Sequence, residues 1–221
     1  MMATITIAMQ KGGCGKSTLA RHGSVILPRA ALLDLDPQGT TMRWLDRRRE
    51  NGAAAPAAIK ASFARAGEAV ERVKSHPQIQ HLIIDTPPEH DDQRTIRFAI
   101  SVADYVVLPC KPSPDDLEVL RDTLKLVIGA RKPFGIVLTM VRPGSRTLAQ
   151  AQELLTKAAT AHGGELCPIT MGNRVAYTDS VFFAKTVTEF EPNGAAAEEM
   201  TGIWTWVGKR AVAAARRAKD G

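Results

Sequence analysis

The sequence predicts an α/β fold: a mostly parallel, twisted sheet flanked by helices on both faces. Three observations carry that prediction. Short apolar runs alternate with segments of helical periodicity along the 221 residues, the pattern of strands joined by crossover helices. The first apolar run leads straight into a glycine-rich loop and then a helical segment. Two further runs end in aspartate, Asp34 and Asp85, and in an open parallel sheet the ligand crevice lies beyond the carboxyl ends of the strands.

The predicted strands are 4–9, 31–34, 81–85, 105–109, 135–140 and 166–169, with a weaker extended piece at 57–62. They are short and rich in Val, Ile and Leu, as strands buried on both faces are. Helices are predicted at 16–27, 40–50, 67–75, 91–102, 115–129, 147–162 and 194–218. Ser113-Pro114-Asp115-Asp116 reads as a helix start, with a capping side chain and an early proline. Met200, Ile203, Trp204 and Val207 recur at helical spacing and mark a face that packs on the core. The small-residue stretch from Gly52 to Ala58 reads as a connector. With no repeat and no composition break, residues 1–221 read as one domain, a length that suits a single sizeable core.

Hydrophobic residues make up 44% of the chain and charged residues 24%, an ordinary globular balance. No apolar run approaches the ~18 residues of a membrane helix, and the N-terminus reads as a strand rather than a secretory signal. Cys14, Cys110 and Cys167 are odd in number and form no C-x-x-C pair, so neither a disulfide framework nor an iron–sulfur site is expected. These features suggest a cytoplasmic protein. The net charge of +6 favours contact with polyanions.

Residues 11–18 read K-G-G-C-G-K-S-T. Glycines let backbone N–H groups close on phosphate oxygens, and the following helix turns its positive end toward the anion. Lys16 supplies charge to the β- and γ-phosphates, and Ser17 offers a hydroxyl to Mg²⁺. The loop is not the standard one, because Gln10 stands where glycine is usual and Lys11 stands at its head. Asp34-Leu35-Asp36-Pro37-Gln38-Gly39 ends an apolar strand and breaks it. A carboxylate there can hold a Mg²⁺-bound water or orient an attacking one. Leu82-Ile83-Ile84-Asp85 fits the Walker B pattern, with Asp85 facing the water shell of magnesium.

At K-G-G-C-G-K-S-T, D-L-D-P-Q-G and I-I-D-T-P-P the chain resembles the ParA/MinD family of deviant Walker ATPases. D-P-Q-G, and P-S-P-D-D at 112–116, look like the short ParF-type partition proteins. The resemblance covers nearly the whole chain and implies a P-loop NTPase fold of the deviant Walker A type. It implies slow ATP hydrolysis with Mg²⁺ and an ATP-bridged homodimer, with Lys11 reaching the partner's phosphates. Lys11, Lys16 and Asp36 would be catalytic; Gly12, Gly13, Cys14, Gly15 and Thr18 would complete the phosphate cradle with Lys11, Lys16 and Ser17. Ser17, Asp36 and Asp85 would serve the metal. Adenine contacts fall on Asn173 and Arg174. Ala184 departs from the family pattern, where glycine is common.

The resemblance also implies non-specific DNA binding and nucleoid association. A centromere-binding or cargo adaptor protein would stimulate hydrolysis, and the cycle would segregate or position a plasmid, chromosome or other cargo. Candidate DNA contacts are Lys209, Arg210, Arg216 and Arg217, with Arg43, Arg47, Arg48 and Arg49 as a second cluster. Two other readings are a metabolic or cofactor-loading ATPase and a MinD-like membrane-associated one. The apolar residues after Lys209 are only Ala and Val, and interfacial helices present larger groups. The sequence therefore argues against a membrane anchor.

Overall fold

The computed structural model describes residues 1–88, 93–142, 144 and 146–220. Its strands are β1 (Ala3–Ile7), β2 (Ala30–Asp34), β3 (Ala57–Lys60), β4 (His81–Asp85), β5 (Tyr105–Cys110), β6 (Phe134–Leu138) and β7 (Glu165–Leu166). Its helices are α1 (Lys16–Ile26), α2 (Thr40–Glu50), α3 (Phe63–Lys74), α4 (Gln93–Val102), α5 (Pro114–Gly129), α6 (Arg146–Ala161), α7 (Val175–Phe182), α8 (Val187–Phe190) and α9 (Ala195–Asp220). The strands form one sheet in the order β3-β2-β4-β1-β5-β6-β7, and every pairing is parallel.

The register brings the informative strand ends to one edge. Ile7 lies beside Asp85, and Asp85 beside Asp34. β1, β2, β4, β5 and β6 are buried along their whole length, because helices cover both faces of the sheet. Trp44, Leu19, Trp204 and Met200 pack on one face; Ile100, Leu120, Leu124 and Leu155 pack on the other beside Leu108 and Ile136. The face predicted on the C-terminal helix is there, with Met200, Ile203, Trp204 and Val207 fully buried.

Boundaries moved in places. α3 starts at Phe63, four residues before the predicted 67, where Phe63 stands on Phe98 edge to face. β7 is only two residues long and precedes the predicted 166–169 strand by one. Residues 91 and 92 of the helix predicted at 91–102 lie outside the described residues. α7 and α8 had no counterpart in the sequence reading, since neither run shows an apolar stripe long enough to declare itself. α8 is held by a capping box between Thr186 and Glu189. Ala184, just before it, has φ 53°, the left-handed region in which glycine carries no penalty.

Arg48 corrects the sequence reading. It was a candidate DNA contact, yet it is fully buried. It donates to Ala54 O and Ala184 O, meets both carboxylate oxygens of Glu189 at 2.7 and 2.8 Å, and lies over the Trp44 ring. Its charge ties α2 to α8. Arg49 pairs with Asp46 on the surface, and Arg43 donates to Gln38 O.

Candidate functional site: a nucleotide cleft at the strand ends

The phosphate-type loop follows β1, and its glycines have distinct roles. Gly13 and Gly15 have φ values of 68° and 98°, which an L side chain adopts only at a cost. Gly15 is the N-cap of α1, so the helix starts with its N–H groups turned to the loop. The loop is braced from outside: Thr139 donates to Cys14 O at 2.8 Å. Lys16 Nζ donates to Lys11 O at 2.9 Å and lies folded over the loop. Gln10, the residue in place of the usual glycine, is buried and tied to Thr123 of α5. Its side chain therefore anchors the strand end to α5, which a glycine could not do.

The three aspartates divide the work. Asp34 Oδ1 accepts from Asp36 N at 3.0 Å and Oδ2 from Met42 N at 3.3 Å. Asp34 is thus consumed in building the turn after β2. That turn carries Asp36 into the cleft, where it lines a space of about 250 Å³ with Gly12, Gly13, Gly15, Lys16, Ser17, Thr18, Pro88 and Met140. Asp85 is fully buried at the end of β4, and its Oδ2 accepts from Thr41 at 2.9 Å. Burial and the neighbouring Asp34 push its carboxyl up to about 6, while the hydroxyls of Ser17 and Thr41 work against them.

Asp85 Oδ1 is buried without a hydrogen-bond partner among the described residues. A buried lone carboxylate oxygen is costly. A hydrated cation beside Ser17 would remove that cost, so the donor set fits Mg²⁺, a hard ion that keeps its waters. Among the described residues no cluster of three or more His, Cys, Asp or Glu could hold an ion by itself.

A second cleft, of about 260 Å³, adjoins the first and shares Thr18 and Met140 with it. Asn173 and Arg174 line it together with Arg21, Met171, Gly172, Tyr177, Thr178 and Val181. The loop and the late segment, far apart in sequence, therefore form one continuous groove. Arg174 does not point freely into it. Its Nε and a terminal nitrogen are held by Glu199 Oε1 at 2.9 and 2.7 Å, and Glu199 Oε2 accepts from Gly172 N and Tyr177 OH. Glu199 of α9 thus shapes the whole segment, and nothing in the local sequence marks it. Arg21, one turn beyond Ser17 and donating to Ser17 O at 3.0 Å, was also missed; its place on the loop's own helix is the only signal.

His22 links this site to the start of α8. It is fully buried, with Nδ1 at 2.7 Å from Thr18 O and Nε2 accepting from Val187 N at 3.0 Å. Those partners require the neutral ring with its proton on Nδ1. Burial lowers its pKa to about 4, against the pull of Thr18 O. Cys14, Cys110 and Cys167 are free and buried. Burial raises the Cys14 thiol above its ordinary value, which opposes thiolate chemistry there.

A family model described as the CobQ/CobB/MinD/ParA nucleotide binding domain matches residues 5–184. The chain belongs to this family of ParA/MinD-type ATPases. It is 27% identical over 210 residues to the maintenance of carboxysome distribution protein A of Halothiobacillus neapolitanus, covering 90% of this chain and 94% of that protein. Its fold is similar to the septum site-determining protein MinD complexed with Mg-ADP from Pyrococcus horikoshii, with TM-score 0.72, 16% identity, and coverage of 97% and 99%. It is also similar to the pNOB8 ParA bound to nonspecific DNA, with TM-score 0.63, 16% identity, and coverage of 98% and 99%.

Of the four tail cations, Lys209, Arg216 and Arg217 are exposed on α9. Arg210 is not free: it forks onto the Glu165 carboxylate and stacks on Trp206 at 4.0 Å. Among the described residues no helix is long and apolar enough to cross a membrane.

Proposed function

We propose that residues 1–221 act as one ParA-type positioning ATPase domain. ATP binds in the groove and bridges two copies of the chain, the dimer holds DNA without sequence preference, and a cargo adaptor stimulates hydrolysis and resets the cycle. The observation that carries this reading is convergence: Lys16, Ser17 and Asp36 line one cleft, Lys11 immediately precedes Gly12 of that lining, and Asp85 at the end of β4 has a buried oxygen with no partner among the described residues. The Halothiobacillus relative, named for carboxysome distribution, favours cargo positioning over plasmid segregation. The Mg-ADP and DNA complexes of the structural neighbours support nucleotide, magnesium and DNA as ligands.

In this mechanism the loop amides and Lys16 bind the triphosphate, and Asp36 orients the attacking water. Lys11 of one protomer places charge on the phosphates held by the other. Mg²⁺, held through Ser17 and the waters facing Asp85 and Asp36, would neutralise charge on the β- and γ-phosphates. Asn173 and Arg174 form the wall at the base. Lys209, Arg216 and Arg217 supply phosphate contacts on DNA.

The test is retention on random-sequence DNA with ATP, with ADP and without nucleotide, over a salt series. ATP-dependent retention that weakens steeply with salt is expected, and Lys209→Ala/Arg216→Ala/Arg217→Ala should abolish it while leaving ATPase intact. Nucleotide-independent retention, or none, refutes the DNA step. A Lys11→Ala chain that still dimerises with ATP and hydrolyses at the wild-type rate refutes the sandwich.

A further inference from the structure

The head lysine of the loop is already engaged within its own chain. Lys11 Nζ lies 2.9 Å from Asp116 Oδ2, a contact that spans 105 residues and joins the loop to the first turn of α5. The Asp116 side chain is 4% exposed and that of Lys11 33%. Ser113, the N-cap of α5, also donates to Asp116 Oδ2 and accepts from Asp116 N at 3.3 Å. Asp116 Oδ1 is buried with no hydrogen-bond partner among the described residues. Among the described residues Lys11 is the one cation that pairs with this carboxylate. The Lys111 ammonium lies by Gly13, 3.9 Å from where a Cβ there would stand.

A carboxylate this buried, with one oxygen unpartnered, depends on its single countercharge. Held on Asp116, the Lys11 ammonium is kept against α5 of its own chain and shares its charge with that carboxylate. A trans role for Lys11 therefore requires that the ammonium leave Asp116, and the affinity of the second copy is reduced by whatever that departure costs. An ion pair that must be broken before association acts as a brake on association.

We propose that Asp116 is a positioning residue that holds Lys11 in cis in the nucleotide-free chain. Transfer of the Lys11 ammonium from this carboxylate to the triphosphate of a second copy is then the exchange that makes dimerisation depend on nucleotide. This rests on the sandwich reading above. The latch has two halves, a cis hold and a release, and each has its own readout.

The first readout is the acetylation rate of the Lys11 amine by an N-hydroxysuccinimide ester in the nucleotide-free protein, followed by mass spectrometry. Asp116→Asn should raise it several-fold, Asp116→Glu should return it toward wild type, and Ser113→Ala, which removes the cap but keeps the carboxylate, should not reproduce the rise. If the Asn variant does not fold, wild-type protein labelled over rising salt gives the same reading, since screening loosens the pair. A labelling rate indifferent to Asp116→Asn, or flat with salt, overturns the cis hold. The second readout is the dimer dissociation constant with a non-hydrolysable ATP analogue, by sedimentation. Asp116→Asn should tighten it about tenfold, and this gain should vanish in a Lys11→Ala background, because coupled residues give non-additive effects. Equal tightening with and without Lys11 overturns the release. Wild-type protein that stays monomeric with the analogue refutes the sandwich and the release together, while the labelling arm still reports on the hold.

Discussion

Replacing Gly23 by alanine tests how the loop helix is seated. Gly23 lies in α1, and a Cβ there would fall inside the Trp204 ring, nearer than the 3.0 Å that real Cβ atoms keep. The indole is fully buried, in one apolar cluster with Leu19, Ala20, Ile203 and Val207. Helix propensity alone would favour alanine by about 1 kcal/mol. Overpacking a close-packed core costs about 1–3 kcal/mol, more when the neighbour is rigid. With three ring atoms in conflict the upper end applies, so a net loss of about 2 kcal/mol is expected. Urea unfolding followed by far-UV circular dichroism measures it, with Gly129→Ala as reference, since a Cβ there meets nothing within 4 Å. Trp204→Leu should restore part of the loss, and because α1 carries Lys16 and Ser17, nucleotide affinity should fall with stability. A Gly23→Ala chain as stable as wild type would show that α1 and α9 are not in this contact.

Further expectations can be checked with standard assays. Arg48→Ala removes the buried donor of Ala54 O and Ala184 O and the countercharge of the partly exposed Glu189, which should cost about 2–3 kcal/mol in chemical unfolding without a direct effect on DNA retention. His22, with its pKa depressed from 6.5 to about 4, contributes fully above the unfolded value, and its contribution shrinks as pH falls toward 4. The loss approaches about 3 kcal/mol. It should be read in an Asp85→Asn background, since the raised Asp85 carboxyl titrates with the opposite sign. Asp85 is expected to release a proton when Mg²⁺ and nucleotide bind, so affinity should rise with pH through about 6; calorimetry in buffers of different ionisation enthalpy would detect it. Asp36→Ala should retain nucleotide and lose phosphate release, whereas Lys16→Ala should lose both, as equilibrium binding beside a phosphate assay would show.

The sheet and the core of the site were legible because their signals are local. An apolar run ending in aspartate, or a glycine loop between strand and helix, declares itself within ten residues, and β1, β4 and Asp85 followed directly. What stayed hidden depends on distant partners. Arg48 looked like one of four surface arginines, but its burial is decided by Glu189, 141 residues away. Glu199 shapes the segment around Arg174 from another helix, and Asp116 meets Lys11 only because α5 begins beside the loop. The partner of Arg210 was hidden for the same reason, since its countercharge comes from β7. Helices as short as α7 and α8 carry too few turns for periodicity to speak, and α8 rests on its capping box.

The margins of the sheet limit how copies of this chain can meet. At one margin β7 offers only two residues. At the other β3 follows Pro56, and its last residue, Lys60, turns its amine onto Pro37 O. Unpaired strand backbone invites another chain to continue the ladder, and brevity, proline and lysine discourage it. Growth of the sheet from chain to chain is therefore disfavoured on both sides. For the nucleotide-bridged pair proposed above, the contact would instead lie beyond the strand ends, where the loop and Asp36 line the cleft.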